Sequence, residues 1–331
     1  MKNLPLVTVI CLCYQHEKYV NQALTSVFEQ TYPAIELIVV DDASPDQSTQ
    51  MIAQALENQK LTSKKDNVFG KIETYFFPLS TNQGNCKAFN IGLAHAKGKY
   101  IIDLAADDLL LPDCIEKQVV VFEKLDESYA VVFSDLYYID KNSKILYTHF
   151  QRDKMKNLLV SVPQGDVYRQ ILAKSFLSAP SMMIRKKVLE ELNGYDETLS
   201  YEDYDFWVRS ARRYKYFFIN DLLVKKRILK NSLGRAFYLK KNNKHLLSTL
   251  KVHQKAFMQN QTLQENLALA ISVRYHLRLS FYTENFELVP KFAYLLSQLD
   301  KLKWIDNFIV CLSTLRIPVS KLYRFYLLTT N

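Results

Sequence analysis

Two acidic pairs occupy positions where side chains can do chemistry. Asp41-Asp42 follows the run Ile35-Glu-Leu-Ile-Val-Val40, and Asp107-Asp108 closely follows Tyr100-Ile-Ile-Asp-Leu-Ala105. Each run is short, apolar and rich in β-branched or other large residues, which predicts a buried strand that hands carboxylates to its C-terminal end. In open α/β sheets, ligands bind in the crevice beyond that end. A carboxylate there suits a hard cation, because Mg²⁺ or Mn²⁺ needs only one or two protein carboxylates and completes its shell with water and substrate phosphate oxygens. The competing assignment is structural: an Asp-Asp turn also caps a following helix, near Ser44-Pro45-Asp46 in one case and near Pro112 in the other. A third acidic group, Glu202-Asp203-Tyr204-Asp205, opens a helical pattern, where carboxylates offset the helix dipole.

The sequence between these groups supplies the elements that must position them. Leu6 to Tyr14 reads as a central strand, and Val20, Ala23, Leu24, Val27 and Phe28 share one face of a helix that Tyr32-Pro33 stops. Met51 to Leu56 lie on a second helix, Ile72 to Phe77 form a third strand, and Asn82-Gln-Gly-Asn85 leads into a helix from about Cys86 to Ala96. The order β-α-β-α-β-α-β predicts a parallel sheet with helices on both faces. No GxGxxG follows the first strand, so an NAD-type dinucleotide site is not indicated. Further on, Tyr129 to Tyr138 and Ile145 to Phe150 read as a hairpin, Ser181 to Ile184 as a short strand, and Lys186 to Leu192 as a helix that Gly194 terminates. Tyr216 to Ile219 and Leu222 to Arg227 close the strand-rich region.

Charge divides the chain. Lys225 to Asn331 carries 18 Lys+Arg against 5 Asp+Glu, leaving 25 against 29 for residues 1–224. This last region is helical by its apolar spacing, over Leu246 to Met258, Leu263 to Thr283, Leu288 to Asp300 and Lys303 to Thr314. Basic helices with interleaved Trp, Tyr and Phe lie in membrane interfaces, and equally pack as core or against a second copy of the chain. Nucleic-acid binding fits the charge but no recognition motif is present. The five Cys form no CxxC pair and no cluster with His, which excludes a zinc site or a disulfide framework on spacing grounds. Reduced thiols, the absence of a signal peptide and the absence of an apolar run of about 18 residues give the expectation of a cytoplasmic protein, peripheral at most to the inner face of the membrane.

Val7-Thr-Val-Ile…Tyr14, Glu36-Leu-Ile-Val-Val-Asp-Asp-Ala-Ser-Pro-Asp46, Asn82-Gln-Gly…Asn90-Ile-Gly92, Gly98-Lys-Tyr-Ile and Asp107-Asp-Leu-Leu-Leu-Pro112 together resemble a family 2 glycosyltransferase of the GT-A fold. The likeness continues through Ser181-Met-Met-Ile-Arg…Asn-Gly-Tyr-Asp-Glu197 and Tyr201-Glu-Asp-Tyr-Asp-Phe-Trp-Val-Arg209, in unbroken order. It implies a Rossmann-like, mostly parallel central sheet flanked by helices, with a catalytic domain over 1–233 and a basic helical region over 234–331. Residues 1–113 would form the nucleotide-sugar-binding half and 114–233 the acceptor-binding half.

By that resemblance, Asp42 accepts a hydrogen bond from the pyrimidine base of the donor, with Asp41 beside it. Asp107 is the last residue of the family's DxD and holds Mn²⁺ or Mg²⁺ on the donor diphosphate. Asp203 is the general base. Three positions depart from the family pattern: Ala105 stands where the first Asp of DxD falls, Phe89 where relatives often carry Arg, and Leu229 where relatives frequently have His. Asp108, Lys87 and either Arg227 or Lys230 are the residues placed to compensate. The implied reaction is an inverting transfer from a nucleotide-sugar, UDP-linked, to a saccharide or lipid-linked saccharide in cell-surface polysaccharide or glycolipid synthesis. A single displacement needs one base and no covalent intermediate. The departures leave a competing class open, a non-catalytic nucleotide-sugar-binding or scaffold protein of the same fold. A nucleotidyltransferase would carry a Gly-rich phosphate loop after the first strand, which Cys13-Tyr-Gln-His-Glu17 does not offer.

Overall fold

Strand β1 (Val7–Cys13) is buried along its whole length, as expected of a strand whose two faces are both covered. In the computed structural model, which describes residues 4–65, 72–229, 234, 237–238 and 240–319, it is followed by α1 (Val20–Phe28), β2 (Ile35–Asp41), α2 (Ser48–Lys65), β3 (Glu73–Pro78), α3 (Asn85–His95) and β4 (Tyr100–Ala105). Val20, Leu24 and Val27 of α1 pack with Ile52 and Leu56 of α2 on Val7, Val9, Cys11 and Cys13. On the other face α3 comes close at Gly92, where a Cβ would stand 2.7 Å from Ile10 Cγ2. That approach leaves no room for a side chain.

Next come β5 (Leu109–Leu110), α4 (Cys114–Phe122), β6 (Tyr129–Ile139), β7 (Ile145–Thr148), α5 (Tyr168–Ala173), β8 (Met182–Arg185), α6 (Lys186–Glu191), α7 (Asp203–Ala211) and β9 (Lys215–Arg227). The sheet order is β3-β2-β1-β4-β8-β6-β9-β5, with β7 paired to β6 off this path. β3, β2, β1 and β4 are parallel, β8 runs antiparallel to β4 and β6, and β9 is parallel to β6. The two strands expected over 216–219 and 222–227 are one strand, β9, whose register against β6 shifts between Ser134 and Leu136. The register that matters for function is around β1: Cys13 pairs with Asp41 and Leu12 with Ala105. Hence the C-terminal ends of β2, β1 and β4 are level, and the residues that follow leave the sheet on one edge.

The chain divides into two compact units. Met1–Asp166, Leu177–Thr198 and Arg213–Leu229 form the first; Val167–Phe176, Leu199–Arg212 and Lys230–Asn331 form the second. The second contains α5, α7, α8 (Lys244–Gln259), α9 (Leu263–Tyr282), α10 (Val289–Leu299) and α11 (Trp304–Thr314). The four C-terminal helices fall where apolar spacing predicts them. Asn243 caps α8 by accepting from His245 N and Leu246 N, and Thr262 with Glu265 forms a capping box on α9. Residues 199–212, expected within 114–233, group with these helices through polar contacts: Lys255 Nζ to Asp205 at 2.6 Å, Arg212 to Glu265 at 2.7 Å, and Tyr201 Oη with Thr249 Oγ1 at 2.7 Å. No described helix is long and apolar enough to cross a membrane.

Two of the three histidines of this second unit face each other. His253 is fully buried, its Nε2 within 3.1 Å of Ser272 Oγ, and the His276 ring stands 5.1 Å away, stacked on Phe292. Burial holds both below the usual imidazole range, His276 at about 4, and for His253 the neighbouring His276 adds to the effect. In the unfolded chain each titrates near about 6.5, so below that pH the unfolded state binds more protons. The stabilisation is therefore complete above about pH 6.5 and is lost as pH falls toward 4. Thermal denaturation at pH 7.5 and pH 5 is expected to show a loss on the order of 2 kcal/mol from His276, and His276→Gln is expected to shrink that difference.

Candidate active site

The loops that leave the level strand ends are sewn together by side chains acting on backbone. Ser44 Oγ accepts from Gln15 N at 3.0 Å, Ser48 Oγ from His16 N at 3.0 Å, and Asp46 Oδ2 from Glu17 N at 3.2 Å. Glu17 returns the contact by accepting from Gln47 N at 3.1 Å. Gln15 and Ala43 both take left-handed backbone, φ 60° and 59°. Such angles cost about 1 kcal/mol each in a non-glycine residue and persist where neighbours overdetermine them.

Asp41 and Asp42 have separate tasks. Asp41 is buried and accepts from Ser44 Oγ and Thr49 Oγ1, each at 2.5 Å, so its carboxylate holds the turn into α2. The backbone N–H at the start of α2, that of Ser48, goes instead to Asp46 Oδ1 at 3.0 Å. Asp42 instead reaches the next loop, accepting from Gln83 N at 2.6 Å and Gly84 N at 2.9 Å, while Asn82 Nδ2 donates to its carbonyl at 3.1 Å. An ionised carboxylate has about four acceptor sites, so two are left for a ligand.

Asp107 and Asp108 are held from behind by Arg227. Its backbone N donates to Asp108 Oδ1 at 2.7 Å and its Nε to the Asp107 carbonyl at 3.0 Å. Three of the four other guanidinium hydrogens go to Asp140 O, Ser143 Oγ and Gln22 Oε1, and the group lies 4.5 Å over the Tyr19 ring. Arg227 is 2% exposed. The expectation that it faces phosphate is therefore corrected, because its donors are already engaged within the fold; Lys230 lies outside the described residues. Asp108 is buried, and burial first, then the charge of Asp107, pushes its carboxyl well above the usual range, against the pull of Lys226 and Arg227. Asp107 keeps 13% of its side chain exposed and faces His16, with 3.9 Å between Asp107 Oδ1 and His16 Nε2.

Helix α3 brings Lys87 to its first turn with an exposed side chain. Phe89 is core: fully buried, it stacks on Tyr195 at 4.1 Å. The Tyr195 hydroxyl donates to Asp103 at 3.1 Å, and Asn90 exchanges two hydrogen bonds with the Tyr195 backbone at 2.8 and 2.9 Å. Gly194, at φ 68°, admits this contact because a Cβ would stand 2.3 Å from Asn90 Oδ1. The Asn-Gly-Tyr motif thus holds α3 to the sheet.

In the second unit, Asp203 is the first residue of α7, partly exposed, with Tyr204 N donating to its Oδ1 at 2.6 Å. Asp205 is buried and engaged by Arg209 and Lys255, both at 2.6 Å. Within the first unit, the structure brings Asp42 and Asp107 to one sheet edge, backed by Asp41 and Asp108, with Lys87 at the start of α3. Sequence reading missed His16 and Lys226. The only signal for His16 was its position just after the first strand.

As for a metal, no three His, Cys, Asp or Glu gather into a cage among the described residues. The mostly buried but still accessible Asp107 beside an imidazole nitrogen fits instead a cation with few protein ligands, completed by phosphate oxygens.

The model of glycosyl transferase family 2 matches residues 8–192. The chain belongs to that family. An uncharacterized glycosyltransferase of Methanocaldococcus jannaschii is 32% identical over 255 residues, 76% of this chain and 80% of that protein. One of Rickettsia bellii is 31% identical over 225 residues, 67% of this chain but 30% of that longer protein, and one of Rickettsia typhi is 31% identical, with 64% of its length covered. The fold is that of GT-A glycosyltransferases: S. aureus TarS 1-349 in complex with UDP superposes with a TM-score of 0.60 at 16% identity, over 96% of this chain and 91% of that one. The mannosyltransferase PcManGT of Pyrobaculum calidifontis, in complex with GDP-Man and Mn²⁺, gives 0.58 at 16% identity, over 95% and 86%.

In this family 2 chain, Asp42 couples strand end to loop, which makes it separable from a mere surface acid. Asp42→Ala leaves Gln83 N and Gly84 N without their acceptor and is expected to lower stability by about 2 kcal/mol in urea denaturation. Asp42→Asn, which keeps one acceptor oxygen, is expected to lose less.

Proposed function

We propose that this chain is an inverting, metal-dependent glycosyltransferase that moves a hexose from a UDP-sugar to a hydroxyl of a saccharide or lipid-linked saccharide in cell-surface polysaccharide or glycolipid synthesis. The observation that carries the reading is the level register of β2, β1 and β4, which delivers Asp42 and Asp107 to the same edge with their loops already fixed. The two free acceptor sites of Asp42 suit a uracil N–H. Asp107 is the residue assigned to hold Mn²⁺ or Mg²⁺. When bound, that ion stabilises the negative charge that grows on the leaving diphosphate. Asp41 and Asp108 are positioning residues, and Lys87 supplies positive charge toward phosphate.

Asp203 is assigned as the base. It takes the proton of the acceptor hydroxyl while that oxygen forms the new bond to the anomeric carbon and the bond to the diphosphate oxygen breaks, releasing UDP. Asp205 is not available for this step, because Arg209 and Lys255 engage it. α11 exposes Trp304 and Phe308, Leu315 just after it is exposed too, and the region 225–331 is strongly basic. Peripheral contact with anionic lipid is the matching role. Co-sedimentation with vesicles containing phosphatidylglycerol is expected, weakened by Trp304→Ala with Phe308→Ala and by added salt.

Release of free UDP from a panel of UDP-sugars with Mn²⁺ tests the central reading. One donor is expected to be cleaved, with Asp107→Asn lowering the rate at least 100-fold. Asp203→Asn is expected to abolish transfer to acceptor while donor affinity changes less than threefold. Donor binding in the wild type without any turnover, acceptor present, favours the binding-protein class instead.

A further inference from the structure

His16 is not held for its own sake. Its backbone is fixed on both sides, by Ser48 Oγ on its N–H and by Tyr19 N and Val20 N on its carbonyl, and the preceding Gln15 is locked in left-handed backbone. The ring is therefore aimed, and it is three-quarters buried, with 24% of the side chain exposed. Yet neither ring nitrogen makes a hydrogen bond within the described residues, and Nδ1 is shut off from solvent. Nε2, the nitrogen on the Asp107 side, is not among the buried atoms and stays open to a partner from outside the chain. The separation of Nε2 from Asp107 Oδ1, 3.9 Å, is too long for a hydrogen bond. Two donors each about 2.1 Å from one small divalent cation stand at most about 4.2 Å apart, so a separation of 3.9 Å leaves both atoms within reach of a single ion. Imidazole and carboxylate together are an ordinary donor set for Mn²⁺.

We infer that His16 would be a second protein ligand for the divalent cation, through Nε2 beside Asp107 Oδ1, so that the loop after β1 as well as the segment after β4 would help to hold it. The inference rests on the proposed metal site at Asp107. It makes the β1–α1 loop, stitched to Ser44 and Ser48, part of the donor site and not only its frame.

Electron spin echo envelope modulation of the Mn²⁺–UDP complex reads the ligand directly and needs no turnover. The full-length wild type is expected to show ¹⁴N modulation from a coordinated imidazole. His16→Gln is expected to lose it and to weaken Mn²⁺ binding in the presence of UDP at least tenfold. Absence of ¹⁴N modulation in the wild type, or its persistence in His16→Gln, overturns the assignment whether or not the variant folds well. Asp107→Asn separates the two failures. If it removes Mn²⁺ binding while His16→Gln does not, only the role of His16 falls; if neither changes binding, the metal site itself is wrong.

Discussion

Two adjacent carboxylates at a strand end repel each other and lose hydration together, and the rest of the first unit is arranged around that constraint. Asp108 is buried, with its charged form disfavoured by burial and by Asp107. The counterweight is Arg227, whose backbone N–H and guanidinium hold both residues while three of its other hydrogens pin Gln22, Asp140 and Ser143. Losing the Arg227 side chain strips the donor from each of those acceptors, which costs about 1–3 kcal/mol for each one left buried. The arrangement frees Asp107 alone to face outward. One acid is taken up by the fold while its neighbour keeps some exposure.

The same division recurs at β2. Asp41 turns inward to Ser44 and Thr49, and Asp42 turns across to the Asn82-Gln83-Gly84 turn. Preorganisation of this kind lowers the ordering cost that binding to such a group would otherwise carry. The positive φ at Gln15 and Ala43 is the local strain that the loop stitching maintains.

Departures from the family pattern divide on physical grounds. Phe89 is a packing choice, since it stacks on Tyr195 and Tyr195 in turn satisfies Asp103. Ala105 leaves Asp107 as the partly exposed carboxylate after β4, and the imidazole that faces it comes from the first loop, not from the end of β9. In the second unit, the acidic start of α7 splits likewise: Asp205 is bound into an ion-pair network, and Asp203 keeps partial exposure.

The sequence by itself determined the elements and the strand-end acids. Short apolar runs such as Val7–Cys13 and Tyr100–Ala105 and the helical stripes of α8 to α11 are local patterns, and local periodicity survives in any fold that buries them. Motif order likewise carried the family, because five spaced signatures rarely coincide by chance. Only the tertiary structure decided which acid of each pair faces outward, that Arg227 is a clamp, that 199–212 groups with the C-terminal helices, and that His16 meets Asp107. Those facts depend on partners distant in sequence. A carboxylate's role follows from which donors reach it and how much water it keeps, and neither is written in the residues beside it.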